Sequence, residues 1–242
     1  MPTIDVHGQL GAQPLATRGG DLESLNALLA RFDIEKCVVA AAEAIRANFV
    51  EGNRKLAEAI VGQPRLVGYV VVNGNYVEAS LEEQRKYLGK AAFAGLYFDG
   101  KATNQNIASL EMNEVLNAAR RYSKPIWVRA DCRASVESLL NAAKSFKALN
   151  FIMGGMGGRD WQYALFAAEP CLNIYIDPSG GPGDRDQLRA AVERGFERRL
   201  VFGSGAGRSH PARLLGLVKD SDLRPSQKER ILTANAKELF GW

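Results

Sequence analysis

The chain has 242 residues, of which 46% are hydrophobic and 24% are charged, and its formal net charge is +4. No run approaches the roughly 18 apolar residues of a membrane-spanning helix, and the basic residues form no cluster interleaved with aromatic residues. We therefore expect neither a membrane span nor nucleic-acid binding. The three cysteines are widely spaced and the N-terminus lacks a signal-peptide pattern, which predicts reduced thiols and a cytoplasmic location.

Eight short apolar runs recur along the chain, each too short for a helix and rich in β-branched or aromatic residues. The runs begin at Thr3, Cys37, Leu66, Gly95, Ile126, Phe151, Asn173 and Leu200. They are continuously apolar instead of alternating, as expected of strands that are buried on both faces of a parallel sheet. We predict one strand from each run.

Segments with helical periodicity follow these strands. The first one places Leu25, Leu29 and Phe32 on one stripe, with Asp21 as its N-cap. Eight strand–helix units without a linker predict an α/β fold, a closed (β/α)8 TIM barrel that forms a single domain over residues 1–242. An open, doubly wound sheet is the less favoured alternative, because no strand–GxGxxG–helix pattern begins the chain.

Several segments resemble, in order and spacing, the amidohydrolase-related metal-dependent hydrolases, a (β/α)8 family. "IDVHGQLG" is similar to the first-strand motif of that family, Ile-Asp-x-His-x-His-x-Gly. "LNFIMGGMGG" resembles its sixth-strand segment, "ERRLVFGSGAG" its eighth, and "ILTANAKELFGW" its closing helix. The resemblance implies a barrel with hydrolase activity and a metal held by two first-strand histidines, one histidine each at the fifth and sixth strands, and an eighth-strand aspartate.

The chain departs from that metal site at four of the five positions. His7 matches the first histidine, whereas Gln9, Arg129, Gly155 and Gly205 stand at the other four. A divalent cation needs three or more converging nitrogen, oxygen or sulfur donors, and Arg129 would place a fixed positive charge where the cation should lie. We therefore predict that the chain binds no metal and uses no cofactor.

Polar side chains are expected in a ring at the carboxyl ends of the strands, where barrels of this kind place their functional groups. His7 and Asp177 are the predicted catalytic residues, because either could move a proton. The predicted substrate-binding residues are Gln9, Asp99, Arg129, Asp131, Ser204 and Arg208. A structural alternative stays open, in which His7 only bonds to neighbouring groups and Asp99, Asp131 or Asp177 forms an ion pair with Arg129.

Arg129 admits two roles because a guanidinium keeps its proton and must meet an anion or water. It either pairs with a carboxylate of the ring or holds the anionic group of a ligand, and we favour the ligand. The glycine-rich turn after the eighth run also leads into a helix and carries Arg208 and Ser209, an arrangement that can bind an anion.

Two functions from different classes remain open. The first is a metal-independent hydrolase or lyase that acts on a small carboxylated or phosphorylated molecule, so the expected partner is a small anionic ligand. The pyrone dicarboxylate lactonases, a branch of the same family, hydrolyse without a metal, but they use the eighth-strand aspartate that Gly205 replaces here. The second function is an inactive barrel that binds a small anion or serves as an assembly subunit.

The apolar C-terminus "ELFGW", with Trp161 and Tyr163, predicts a homodimer.

Overall fold

The computed structural model describes residues 2–12, 20–180, 183 and 186–242. Within these residues seven parallel strands form one sheet, and their order in the sheet follows their order in the chain. The strands are β1 (Thr3–Leu10), β2 (Ile34–Ala41), β3 (Leu66–Val71), β4 (Phe93–Phe98), β5 (Ile126–Arg129), β6 (Phe151–Gly154) and β7 (Ile174–Asp177). The predicted α/β barrel fold is confirmed, with its eighth strand as the exception described below.

Helices connect the strands and cover the outside of the sheet. They are α1 (Leu22–Arg31), α2 (Ala42–Arg46), α3 (Phe49–Ala59), α4 (Val77–Tyr87), α5 (Gly100–Thr103), α6 (Leu110–Ala119), α7 (Arg133–Ser145), α8 (Trp161–Ala168), α9 (Asp186–Ala191), α10 (Ala212–Lys219), α11 (Pro225–Glu229) and α12 (Asn235–Phe240). Two π-helical turns, Val192–Phe196 and Arg230–Ala234, follow α9 and join α11 to α12. None of the helices described has the length and apolar character needed to cross a membrane.

Helix α1 shows how the sequence sets an element. The Asp21 side chain accepts a hydrogen bond from the Ser24 backbone N–H at 2.8 Å, which satisfies one of the free donors at the start of the helix. Leu25 and Leu29 are fully buried on the inner face. Both features were predicted from the apolar stripe and its preceding aspartate.

Residues 200–206 occupy the place of the eighth predicted strand. The backbone N–H of Val201 donates to the carbonyl of Ile176 on β7 at 2.9 Å. On the other side, the backbone N–H of Val6 on β1 donates to the carbonyl of Phe202 at 2.8 Å. This segment therefore lies between the first and last strands and closes the sheet into a barrel.

The segment does not form a regular strand, so the prediction of eight strands is wrong at its last member. The backbone N–H of Ser204 donates to Oδ1 of Asp5 at 2.8 Å, and the N–H of Ala206 donates to Oγ of Ser204 at 3.0 Å. Gly205 has a φ of +70°, in the left-handed region that interrupts an extended chain. Side chains thus satisfy donors that a ladder would otherwise pair.

The aromatic residues on which the homodimer prediction rests make most of their contacts within the chain. Trp161 and Tyr163 are partly buried against the core, and the Tyr163 hydroxyl bonds to Glu137 at 3.0 Å. Trp242 is 37% exposed and stacks on Phe240 with ring centroids 4.7 Å apart. These contacts leave less apolar surface for a partner than the sequence suggested.

The homodimer stays a prediction. We expect light scattering at micromolar concentration to give twice the 26.4 kDa chain mass, because a second copy would bury the exposed part of Trp242. A mass of 26.4 kDa across the concentration range would contradict it.

Candidate functional site

A polar cavity of about 140 Å³ opens at the carboxyl ends of the strands. Its lining residues are His7, Trp127, Arg129, Asp131, Gly154, Gly155, Ser179, Gly180, Ser204, Gly205, Arg208 and Ser209. Five of the residues predicted from the sequence are among them. Asp99 and Asp177 lie outside the lining but contact residues of it, and Gln9 is buried with its side chain bonded to Tyr97.

His7 lies on β1 and is buried. Its Nδ1 is 3.2 Å from Oγ of Ser179 and 3.4 Å from Oδ2 of Asp177. The Ser179 hydroxyl donates its one hydrogen to Asp177 at 3.0 Å, so the His7 Nδ1 contact requires an Nδ1–H donor. The neutral imidazole then has a bare lone pair on Nε2, and this buried atom has no hydrogen-bond partner among the described residues. Such an imidazole, oriented by a carboxylate, can accept a proton.

Asp177 is fully buried at the end of β7. Its carboxylate accepts hydrogen bonds from Nε1 of Trp127 at 2.9 Å, from the backbone N–H of Ser179 at 2.9 Å and from the Ser179 hydroxyl. A Cβ at Gly203 would overlap this carboxylate, so the neighbouring segment passes close to it only because residue 203 is glycine. Three donors and the His7 imidazole hold the carboxylate in one orientation.

Arg129, at the end of β5, forms ion pairs with two carboxylates. Its Nη1 is 3.2 Å from Oδ2 of Asp99, and its Nε and Nη2 are 2.8 and 2.7 Å from Oδ2 of Asp131. Burial lowers the pKa of Arg129, and the two carboxylates more than reverse that effect, so the pKa lies above its usual value. Asp99 also caps α5 through the N–H groups of Lys101 and Ala102. The structure thus contains the ion-pair alternative for Arg129, with Asp99 and Asp131 as partners instead of Asp177.

Removing the Arg129 side chain should therefore destabilise the protein. We expect Arg129→Ala to lower the free energy of unfolding by roughly 1–3 kcal/mol, since it leaves Asp99 and Asp131 unpaired. The estimate is below that for a fully buried pair because the Arg129 side chain is 22% exposed. Urea unfolding measures the effect.

Arg133→Ala is the matched control for this prediction. Arg133 is 3.0 Å from Glu137, but its side chain is 63% exposed, so its removal should change the stability little. Unchanged stability of Arg129→Ala, together with loss of ligand binding, would contradict the ion-pair role and restore the ligand role.

Arg208 differs from Arg129 because its side chain makes no salt bridge with another residue that the structure describes. It is exposed, it lines the cavity, and its backbone N–H donates to Gly205 at 2.9 Å. The turn packs closely against β1, since a Cβ at Gly207 would overlap the backbone carbonyl of Gln9. Arg208 thus offers the cavity an uncompensated positive charge.

Asp5 is a buried acid beneath the site that the sequence reasoning missed. It accepts hydrogen bonds from the Ser204 N–H, the Ser204 hydroxyl and the His7 N–H. Burial raises the pKa of Asp5 to about 6, against these bonds, which lower it. The aspartate of the "IDVH" motif was the available signal. The Ser204 hydroxyl, predicted to bind substrate, is engaged by Asp5 although Ser204 lines the cavity.

Gln9 and the two glycines at the expected metal positions do not supply a metal site. The Gln9 Nε2 donates to the Tyr97 hydroxyl at 3.3 Å, and its Oε1 accepts from Arg46 at 3.5 Å. Gly155 and Gly205 carry no donor side chain. Over the described ranges, no three His, Cys, Asp or Glu residues are grouped so that they could hold a metal ion. The residues present therefore do not fit the metal centre that the resemblance implies.

Trp127 and Tyr97 form an aromatic base for the site, and Trp127 was not predicted to belong to it. Their rings stack with centroids 4.4 Å apart and an interplanar angle of 8°, and the His7 ring lies 4.1 Å from Trp127. A Cβ at Gly154 would overlap the indole. Trp127 lies two residues before Arg129 on β5, so strand alternation could have placed both on one face.

Solved structures share this fold over the whole chain. A Staphylococcus aureus protein assigned as an amidohydrolase has a TM-score of 0.81 at 15% identity, with 100% of both chains covered. A dihydroxybenzoic acid decarboxylase of Polaromonas, with bound manganese and the inhibitor 2-nitroresorcinol, has a TM-score of 0.81 at 12% identity, covering 99% of this chain and 97% of that one. An Acinetobacter baumannii protein assigned as a 2-pyrone-4,6-dicarboxylic acid hydrolase, with citric acid bound, has a TM-score of 0.72 at 18% identity, with both chains fully covered.

These identities are low, so the likenesses concern the fold. Comparison with curated protein sequences gives no match. The sequence model of the Amidohydrolase family matches residues 4–242, from the second residue of β1 to the end of the chain. The chain therefore belongs to the amidohydrolase family.

Proposed function

We propose that this protein is a metal-independent hydrolase or lyase that acts on a small carboxylated or phosphorylated molecule. The arrangement of His7 supports this function most strongly. Its Nδ1 is held by Ser179 and Asp177, and its Nε2, in a residue that lines the cavity, has no partner in the part of the chain that the structure describes. Burying a polar atom without a hydrogen-bond partner lowers the stability of the fold, so such an atom in a cavity is typical of a catalytic or ligand-binding role.

His7, Asp177 and Arg208 have different roles in the proposed reaction. In a hydrolysis, His7 Nε2 accepts a proton from the attacking water, and the imidazolium then donates it to the leaving group. In an elimination catalysed by a lyase, Nε2 removes a proton from a substrate carbon, and the imidazolium donates it to the departing group. Asp177 stabilises the imidazolium formed in either case. Arg208 binds the anionic group of the substrate, because its guanidinium is the lining cation that no described carboxylate neutralises.

The names of the structural relatives agree with an anionic substrate. The Polaromonas protein is a decarboxylase of dihydroxybenzoic acid, and the Acinetobacter protein is assigned to a pyrone dicarboxylic acid and holds citric acid. The Polaromonas structure also contains manganese. Metal independence of the present chain is proposed from its own side chains, since Gln9, Gly155 and Gly205 stand at the expected ligand positions.

A ligand panel tests the proposal. Chelator-treated protein is screened by thermal shift and by turnover against benzoates, aliphatic dicarboxylates and tricarboxylates, carboxylated lactones and phosphate esters. We expect at least one anion to raise the melting temperature and to be converted. Arg208→Ala should weaken its binding by roughly 10–100-fold, the loss of a hydrogen bond to a charged group. Arg159→Ala, an exposed arginine outside the cavity lining, should leave binding unchanged.

The second candidate is a catalytically inactive barrel that binds a small anion. Gly205 favours it, because the resemblance implies a carboxylate at this position and the main chain there has only a left-handed turn. Stabilisation by an anion without any turnover would support this function. If no anion of the panel stabilises the protein, both functions fail.

A further inference from the structure

We infer that Trp127 is a positioning residue for the pair formed by His7 and Asp177. Its indole N–H holds the carboxylate, and its ring supports the imidazole. The inference rests on the proposed function, in which His7 transfers the proton. In this inference, Trp127 stabilises the His7 tautomer whose Nε2 can accept a proton.

The indole N–H bonds to the oxygen that matters for His7. Trp127 Nε1 lies 2.9 Å from Oδ2 of Asp177. The same Oδ2 accepts from the Ser179 hydroxyl at 3.0 Å and lies 3.4 Å from Nδ1 of His7. The indole donor and the hydroxyl together fix the direction in which this oxygen faces the imidazole. The single hydrogen of the indole N–H is used in this bond, and Trp127 is 3% exposed.

The ring of Trp127 is itself held in place. The Tyr97 ring stacks on it, and Gly154 on the adjacent strand leaves space for the indole that a Cβ would fill. The His7 ring lies 4.1 Å from the indole at an interplanar angle of 34°. A rigid aromatic surface therefore supports the imidazole while the carboxylate orients its Nδ1–H.

Losing the indole N–H should shift the tautomer of His7. Without it, Asp177 Oδ2 has one donor fewer and can turn away from Nδ1. The Nε2–H tautomer, which has no lone pair on Nε2, then becomes populated. We expect kcat to fall about tenfold with little change in KM, since the N–H is bonded to Asp177 and is not available to bind a substrate.

The test compares Trp127→Phe with Trp161→Phe, a tryptophan outside the cavity lining. The chain has two histidines, so 15N–1H correlation of the imidazoles resolves both tautomers, and His210→Asn assigns the signals. We expect neutral His7 to be the Nδ1–H form in the parent and in Trp161→Phe, and a mixture in Trp127→Phe. An unchanged tautomer and an unchanged kcat in folded Trp127→Phe would overturn the inference.

A second variant covers the case in which Trp127→Phe does not fold. In a chain carrying Trp161→Phe and Trp242→Phe, benzothienylalanine incorporated for the remaining tryptophan keeps the ring size and removes only the N–H. The tautomer shift is again the expected result. Because the spectrum needs no substrate, a tautomer that depends on Trp127 in a protein without activity would overturn the proposed function alone. An active parent with an insensitive tautomer would overturn this inference alone.

Discussion

His7→Asn is expected to lower kcat by about 10²–10⁴-fold, the usual contribution of a general acid or base. Asparagine keeps a polar side chain on β1 but cannot take up a proton at the position of Nε2. The fold should persist, because the backbone N–H of His7 still bonds to Asp5. The quantity to measure is kcat on the best-converted anion of the panel.

His210→Asn is the control, since these are the two histidines of the chain. His210 is exposed, lies outside the cavity lining and contacts Phe32 edge-on at 5.0 Å. Its replacement should leave kcat unchanged. Equal activity of both variants would remove His7 from the chemistry, and equal loss in both would show that the assay reports something other than this site.

Asp5→Asn should change how stability depends on pH. The pKa of Asp5 is about 6 in the folded protein against 3.8 in the unfolded chain, because burial disfavours the charged form. Between these values the folded state holds a proton that the unfolded state has lost, so stability falls as pH rises. The difference of about two pKa units corresponds to about 3 kcal/mol. Asparagine cannot ionise, so the variant should lack this loss.

The measurement is urea unfolding of parent and variant between pH 4 and pH 7. The free energy of unfolding of Asp5→Asn relative to that of the parent should rise by about 2 kcal/mol from pH 4 to pH 7, because part of the total effect falls below pH 4. Asp222→Asn, at an exposed carboxylate, should show no such trend. A difference between parent and Asp5→Asn that stays constant with pH would mean that Asp5 is ionised in the fold at all these values.

The barrel could be predicted from the sequence because its signal is repeated. Each continuous apolar run is buried on both faces, and each helix presents one apolar stripe, as Leu25 and Leu29 do in α1. The eighth segment could not be predicted in the same way. Its composition is that of a strand, but Gly205 adopts a left-handed conformation. The Ser204 N–H bonds to the Asp5 side chain, a contact between residues about 200 positions apart in the chain.

Five of the eight candidate residues line the cavity, but the contacts between the candidates could not be read from the sequence. The predicted strands and the turns after them indicated that His7, Arg129 and Arg208 would lie at the carboxyl ends of the strands. One oxygen of Asp99 caps α5 and the other pairs with Arg129. The Asp177 carboxylate instead accepts a hydrogen bond from Trp127. Strand periodicity could have found Trp127, since it shares the face of Arg129 on β5.

The most direct test of the account is the turnover of chelator-treated protein whose metal content is measured in the same sample. The best-converted anion of the panel serves as substrate, with His7→Asn assayed alongside. We predict that kcat is unchanged when bound manganese, zinc and iron fall far below one ion per chain, and that activity still requires His7. A rate that disappears on chelation and returns with Mn²⁺ or Zn²⁺ would contradict the account.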